Sequence, residues 1–271
     1  MGAASIVFLP DRFMDRRLWS DIPDNLGDQV RVIYYNQHEL PWRAPDGEFV
    51  ETVRRLTGGR GYDIAAAAGD AARFAVTLAE AGLVKGMVFF QPALDSIPAD
   101  VHIDFTGVDF EHALDPYQPL IGAAEDPDPG RRRSAVMNVI GETYKAVLDA
   151  ESLQVAMSMW GEHFDEYLGM LRAVAPPDAA ELETAEATSA AQPADPEPRW
   201  RWPWMDRLEG LPVPVAVMVA AEGRTVGEAI VRRTGRGEVI VVEGIAGLST
   251  RRDRRRGAEA IRRMLDQVAG G

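Results

Sequence analysis

Short apolar runs alternate with amphipathic segments along the first hundred residues. Ile6-Val7-Phe8-Leu9 and Val30-Arg-Val-Ile-Tyr-Tyr35 read as strands, the second rich in β-branched and aromatic residues. Val50, Val53 and Leu56 fall on one side of a helix that ends at Gly58-Gly59, where positive φ costs nothing. Tyr62–Ala68 reads as a buried strand of small residues. A turn at Gly69-Asp70 leads into a helix over Ala71–Ala81 closed by Gly82, and Gly86–Gln91 is the next strand. Strands and helices alternating with short joints predict a parallel sheet covered on both faces.

The pattern then changes. Residues 105–174 lack strong strand signals and predict two amphipathic helices, over 131–150 and 152–174. On the second, Val155, Met159, Trp160, His163, Phe164, Tyr167 and Leu171 share a broad face. Residues 175–198 are rich in Ala, Pro, Glu and Asp, hold no aromatic residue, and read as a solvated linker. Strand and helix signals resume with Val213–Val219 (strand), Val226–Arg233 (helix), Glu238–Val242 (strand) and Arg252–Val268 (helix). The expected organisation is a first part of an α/β core at 1–104, a helical insertion at 105–174, the linker at 175–198, and the second part of the core at 199–271.

Composition narrows the chemistry. The net charge of -13 repels phosphate backbones, which argues against a nucleic-acid partner. No Cys is present, so disulfides, thiolate metal sites and a Cys nucleophile are excluded. The four histidines, His38, His102, His112 and His163, form no pair at i, i+4 spacing, which disfavours a metal site. No apolar stretch reaches the ~18 residues of a membrane span, and the apolar N-terminal run lacks the basic lead of a signal peptide. A cytoplasmic protein without a membrane partner and without a cofactor is the expectation.

The order and spacing of these pieces resemble the α/β-hydrolase fold with a helical cap. Val7–Trp19 resembles the family's early strand, its oxyanion loop and the Trp that opens the next helix; Val30–Asn36 resembles the next strand. Tyr62–Glu80 with Gly82–Pro92 resembles the nucleophile-elbow unit and the strand after it. Leu211–Val219 and Val239–Gly244 resemble the last two strands. The resemblance implies a mostly parallel sheet flanked by helices, with a pocket between core and cap at the C-terminal ends of the strands.

The catalytic positions of that family do not match. Its elbow reads Gly-x-Ser-x-Gly; here Ala68-Gly69-Asp70-Ala71-Ala72 puts Asp70 in the nucleophile position, as some dehalogenases have, and a shift of one residue puts Gly69 there instead. Asp70 reads equally as a helix N-cap. Gly247 stands where the family's His follows the last strand, and no His occurs after His163. Glu222 lies close to the acid position, and Asp95 matches an alternative one. The oxyanion loop reads Pro10-Asp11, which removes a donor and adds a repelling carboxylate. A standard serine-hydrolase mechanism is thereby rejected.

Candidate residues follow from the resemblance. Asp70, His163 and Glu222 are the catalytic candidates. Asp11, Arg12, Asn36, Ala71, Asp95, Trp160 and Arg224 are the candidates for contact with a small organic molecule. An ion pair of Asp70 with Arg224 or Arg12 would orient a polar ligand or tune a carboxylate. Two classes of function stand open: a non-standard enzyme of lyase, cyclase or isomerase type that transfers protons through Asp70 or a cap His, and a pseudoenzyme that binds ligands or serves as a scaffold. The Trp-rich segment 199–205 reads either as a protein-binding surface or as the piece that docks the chain back onto the core. Arg251–Arg256 is a solvated helix start or a docking point for an acidic partner.

Overall fold

The computed structural model describes residues 3–11, 16–19, 21–28, 30–36, 39–40, 46–92, 118–145, 148–174, 204–242 and 250–270. The strands are β1 (Ala4–Leu9), β2 (Val30–Tyr34), β3 (Tyr62–Ala68), β4 (Val84–Phe90), β5 (Val215–Ala220) and β6 (Gly237–Val242). They form one parallel sheet in the order β2-β1-β3-β4-β5-β6. The helices are α1 (Asp21–Leu26), α2 (Asp46–Thr57), α3 (Ala72–Glu80), α4 (Gln118–Ala124), α5 (Pro129–Lys145), α6 (Ala150–Glu162), α7 (Phe164–Val174), α8 (Arg224–Thr234) and α9 (Arg251–Gly270).

Both faces of the four central strands, β1, β3, β4 and β5, are largely buried, which is why these strands read as apolar runs. Successive side chains alternate between faces. Val7, Leu9, Ala65, Ala67, Met87, Phe89 and Val217 face Val53 of α2, Phe74 and Leu78 of α3, and Ile230 of α8. Ile6, Phe8, Ile64, Ala66, Val88, Phe90 and Met218 face Trp19, Ile22 of α1, and Ile261 and Met264 of α9. The alanines of β3 leave room for the helices on either side. Gly257 does the same for α9: a Cβ there would lie 2.7 Å from the Phe90 ring.

Several boundaries differ from the expected ones. Strand β4 starts two residues early, because Val84 pairs with Tyr62 in the β3 register. Strand β5 starts at Val215 rather than Val213; Pro214 has no N–H for the ladder, though its carbonyl accepts from Met87 at 3.0 Å. The long helix expected at 152–174 bends at His163, although Met159 O and His163 O still accept the i+4 amides at 2.9 Å. Helix α1 starts two residues after Trp19, where the resemblance placed a helix, and α4 is short and was not expected.

Contacts divide the chain into two compact units. The first holds Met1–Asp104, Tyr144–Ala156 and Pro203–Gly271, and the second Phe105–Thr143 and Met157–Trp202. Within the second unit, Arg133 of α5 donates to Gly161 O and lies 4.8 Å above the Phe164 ring. Trp160 and Tyr167 are fully buried and meet edge to face at 4.9 Å. The linker expected at 175–198 lies outside the described residues. No helix among the described residues is long and apolar enough to cross a membrane.

After residue 203 the chain is fastened to the front half of the sheet. Trp204 is buried against Phe89, with ring centroids 5.6 Å apart. Arg207 donates to Asp46 (2.9 Å), Thr77 (2.9 Å) and Glu80 (3.0 Å), and a second Nη–carboxylate contact closes the pair with Glu80. Trp204, at the end of the Trp-rich segment, is therefore spent on the core; Trp200 and Trp202 lie outside the described residues. Because β4 pairs with β5 and Arg207 clamps both halves, a protease site inserted between residues 185 and 190 is expected to give two fragments that elute as one species. Separate elution under native conditions contradicts the single sheet. Arg207→Ala is expected to lower unfolding free energy by about 1 kcal/mol, because it removes the ion pair from the partly buried Asp46.

Candidate functional site

The C-terminal ends of β1 and β3 lie side by side, since Leu9 pairs with Ala67. Beyond Ala68 the chain turns through a short 3-10 segment, Gly69–Ala71, into α3. Gly69 takes φ +52, in the left-handed region that favours glycine. Ala68 before it is extended, and Asp70 starts the helical path. The strained position of this strand-to-helix turn is thus residue 69, and it carries no side chain.

Asp11 fills the space a side chain would take. A Cβ built on Gly69 would lie 2.0 Å from Oδ2 of Asp11 and 2.3 Å from its carboxyl carbon. The other oxygen, Oδ1, accepts the backbone N–H of Asp70 at 3.2 Å. One carboxylate therefore covers the turn and takes up the first amide of the helical segment, a place where backbone N–H groups favour an anion. In acyl-transfer sites of this architecture the amide following the nucleophile helps bind the oxyanion. Here that amide already has an acceptor, and the acceptor's negative charge opposes a second anion.

The other predicted residues distribute as follows. Asp70 is partly buried, but it is not the helix cap: Ala71 precedes α3 and makes no side-chain capping bond. The N-cap reading is corrected on that ground. Ala71 is fully buried. Asn36 closes a local turn after β2; its N–H donates to Glu39 Oε2 at 2.5 Å and its carbonyl accepts from the Glu39 N–H at 3.0 Å. Arg224 is exposed and pairs with Glu228 on its own helix at 2.9 Å, so it does not supply the buried partner expected for Asp70. Glu222 lies in the turn Ala221–Gly223 after β5, with its side chain outside what is described. Arg12, Asp95, His38 and His112 lie outside the described residues.

In the second unit, His163 is half exposed. Its Nδ1 lies 3.4 Å from Glu166 Oε2, and its ring stacks on Tyr167 at 5.7 Å. Trp160 is fully buried. Among the described residues no group of His, Asp and Glu is arranged to hold a metal ion.

Sequence reasoning missed Gln91. It follows β4 with φ 45, the only non-glycine residue in the left-handed region among those described. Its N–H donates to Met218 O at 2.8 Å, and its side-chain Oε1 accepts the Ala220 N–H at 3.0 Å. Two cross-links to β5 hold a backbone conformation that costs on the order of 1–3 kcal/mol. The sequence carried no signal for it, because the residue before a proline ordinarily favours an extended conformation and Gln91 departs from that preference.

No protein-family model matches the chain, and no curated protein resembles it in sequence. Solved structures do resemble it in shape. MenH from S. aureus matches with a TM-score of 0.59 at 12% identity, covering 99% of this chain and 96% of that one. A loop variant of the haloalkane dehalogenase DbeA from Bradyrhizobium elkanii matches with a TM-score of 0.56 at 15% identity, covering 99% and 89%. The hydrolase olei00960 from Oleispira antarctica matches with a TM-score of 0.55 at 12% identity, covering 100% and 93%. With the parallel sheet and its flanking helices, these likenesses establish an α/β-hydrolase-like fold.

The turn makes a measurable prediction. Gly69→Ala is expected to destabilise the protein by about 2 kcal/mol or more, from positive φ and from collision with Asp11. Asp11→Ala alone is expected to cost about 1 kcal/mol. In the double variant the Asp11 change relieves the collision, so the two costs sum to less than additively by about 1 kcal/mol in denaturant unfolding. Strict additivity contradicts contact between residues 11 and 69.

Proposed function

We propose that this chain is a cytoplasmic pseudoenzyme, which keeps an α/β-hydrolase-like fold without hydrolysing esters or amides and acts by binding a small organic molecule or as a scaffold. The observation that carries this reading is the Gly69–Asp11 contact. The turn position that would present a nucleophile has no side chain, and the space in front of it holds a carboxylate. The sequence supports the same reading, since no His follows His163 to activate a hydroxyl or to deacylate an intermediate. Supplying a Ser at residue 69 would not restore turnover, because the base and the free amide would both still be missing.

A second reading, proton-transfer chemistry of lyase, cyclase or isomerase type, has one observation in its favour. Asp70 is partly buried at the same turn, and its own amide rests on a second carboxylate, that of Asp11. Asp70→Asn separates the two readings. It keeps the side-chain shape and removes the charge. A pseudoenzyme retains its ligand through that change, whereas an acid–base enzyme loses turnover of the ligand.

Incubation with a fluorophosphonate probe is expected to label no Ser, and p-nitrophenyl acetate is expected to be hydrolysed at the rate of buffer alone. Native mass spectrometry of the purified protein then identifies any retained small molecule. Stoichiometric labelling of a Ser, or saturable ester turnover by homogeneous protein, overturns the proposal.

A further inference from the structure

The C-terminal helix carries a feature that neither the fold nor the proposed function uses. The chain has a net charge of -13, yet residues 224–271 hold eleven arginines against six carboxylates. On α9 the buried face is Asp253, Arg254, Gly257, Ala258, Ala260, Ile261 and Met264. The opposite face presents two rows with the same i, i+4, i+11 spacing: Arg251, Arg255, Arg262 and Arg252, Arg256, Arg263. The second row borders β6, the edge strand of the sheet. Arg256 donates to Val241 O at 3.3 Å, and Arg263 pairs with Glu238 at 2.9 Å.

In the first row Arg251 lies 3.6 Å from Asp21 and 3.9 Å from Glu151. Arg255 and Arg262 are exposed and make no ion pair or side-chain hydrogen bond among the described residues. They are two helical turns apart, about 10 Å along the axis. Glu259 is the one carboxylate on the face between them. Two guanidiniums at that separation match carboxylates three residues apart on a polyproline-II segment, which has three residues per turn and rises about 3.1 Å per residue, so that both carboxylates share one side. Each guanidinium can hold a carboxylate by two parallel hydrogen bonds.

We propose that the arginine face of α9 is a docking surface for an extended acidic polypeptide segment of a partner protein. A short acidic segment needs only this face. A nucleic acid carries one charge per ~1.7 Å over a long rigid backbone and would meet the acidic remainder of the chain. The proposal does not depend on whether the fold is catalytic.

The test uses the full chain and a fluorescent twelve-residue glutamate-rich peptide, followed by anisotropy at low salt. A protein of net charge -13 has no general attraction for a polyanion, so saturable binding reports the arginine face. Binding is expected to weaken as salt rises. Arg255→Glu/Arg262→Glu is expected to raise Kd at least tenfold without changing Tm, and Glu259→Gln to lower Kd. If the charge-reversed variant melts early, Arg255→Gln/Arg262→Gln serves in its place, with at least a threefold rise expected. Absence of saturable binding overturns the proposal, as does an unchanged Kd in the variants. Tighter binding of a single-stranded oligonucleotide of equal charge also overturns it, in favour of a nucleic-acid surface.

Discussion

The carboxylate of Asp11 and the bare backbone of Gly69 occupy one another's space, and the C-terminal edge of the sheet is arranged around that fact. Strand β1 must end beside β3 for the contact to form, and the Leu9–Ala67 register places it there. Residue 69 must lack a Cβ, because one would fall 2.0 Å from Oδ2. In return the carboxylate satisfies the Asp70 amide, which no backbone carbonyl reaches at the start of a helical segment. A turn of this kind with a nucleophile at its tip would need the opposite arrangement: an open space before residue 69 and a vacant amide behind it. The same backbone path therefore serves here as a closed structural joint. The proposal of a silent site rests on this exchange of parts.

The remainder of the core is built to hold that joint in place. The alternating side chains of β1, β3, β4 and β5 fill two apolar layers, one under α2, α3 and α8 and the other under α1 and α9. Each layer is closed by a segment distant in sequence. Trp204 and Arg207 seal the first, where Arg207 joins α2 to α3 through Asp46, Thr77 and Glu80. Arg254 seals the second, joining Asp21 of α1 at 3.0 Å and Ser152 at 2.7 Å. A buried arginine with one partner removed would be costly, so these clamps specify which helices meet as well as how firmly.

The four central strands were legible because a parallel sheet covered on both faces writes itself as apolar runs, and all six strands appear within two residues of where the pattern put them. The long amphipathic helices were legible for the same reason. Helix α1 was legible only through the resemblance at Trp19, because six residues with a proline in the first turn leave too little periodicity to see. The bend at His163 was hidden because the apolar face continues through it. At the candidate site the sequence named Asp11 and Asp70 but left the register of the turn open. In Ala67-Ala68-Gly69-Asp70-Ala71-Ala72 either residue has small neighbours, and only the backbone conformation distinguishes them. Arg224 looked like a partner for Asp70 by position, yet Glu228 one turn along its own helix is nearer and solvent surrounds both. Gln91 gave no side-chain signal at all, because its importance lies in a positive φ.

Native-state hydrogen exchange of the Asp70 amide tests the account most directly. That amide sits at the start of a helical segment, where its protection depends on the Asp11 carboxylate rather than on a backbone acceptor. In the parent protein the Asp70 amide is expected to be protected. In Asp11→Ala a roughly tenfold loss of protection is expected, the equivalent of one hydrogen bond of about 1.4 kcal/mol, with the amides inside β3 unchanged. Equal exchange of the Asp70 amide in the two proteins would show that the carboxylate does not hold the turn, and would remove the physical basis for reading the site as closed.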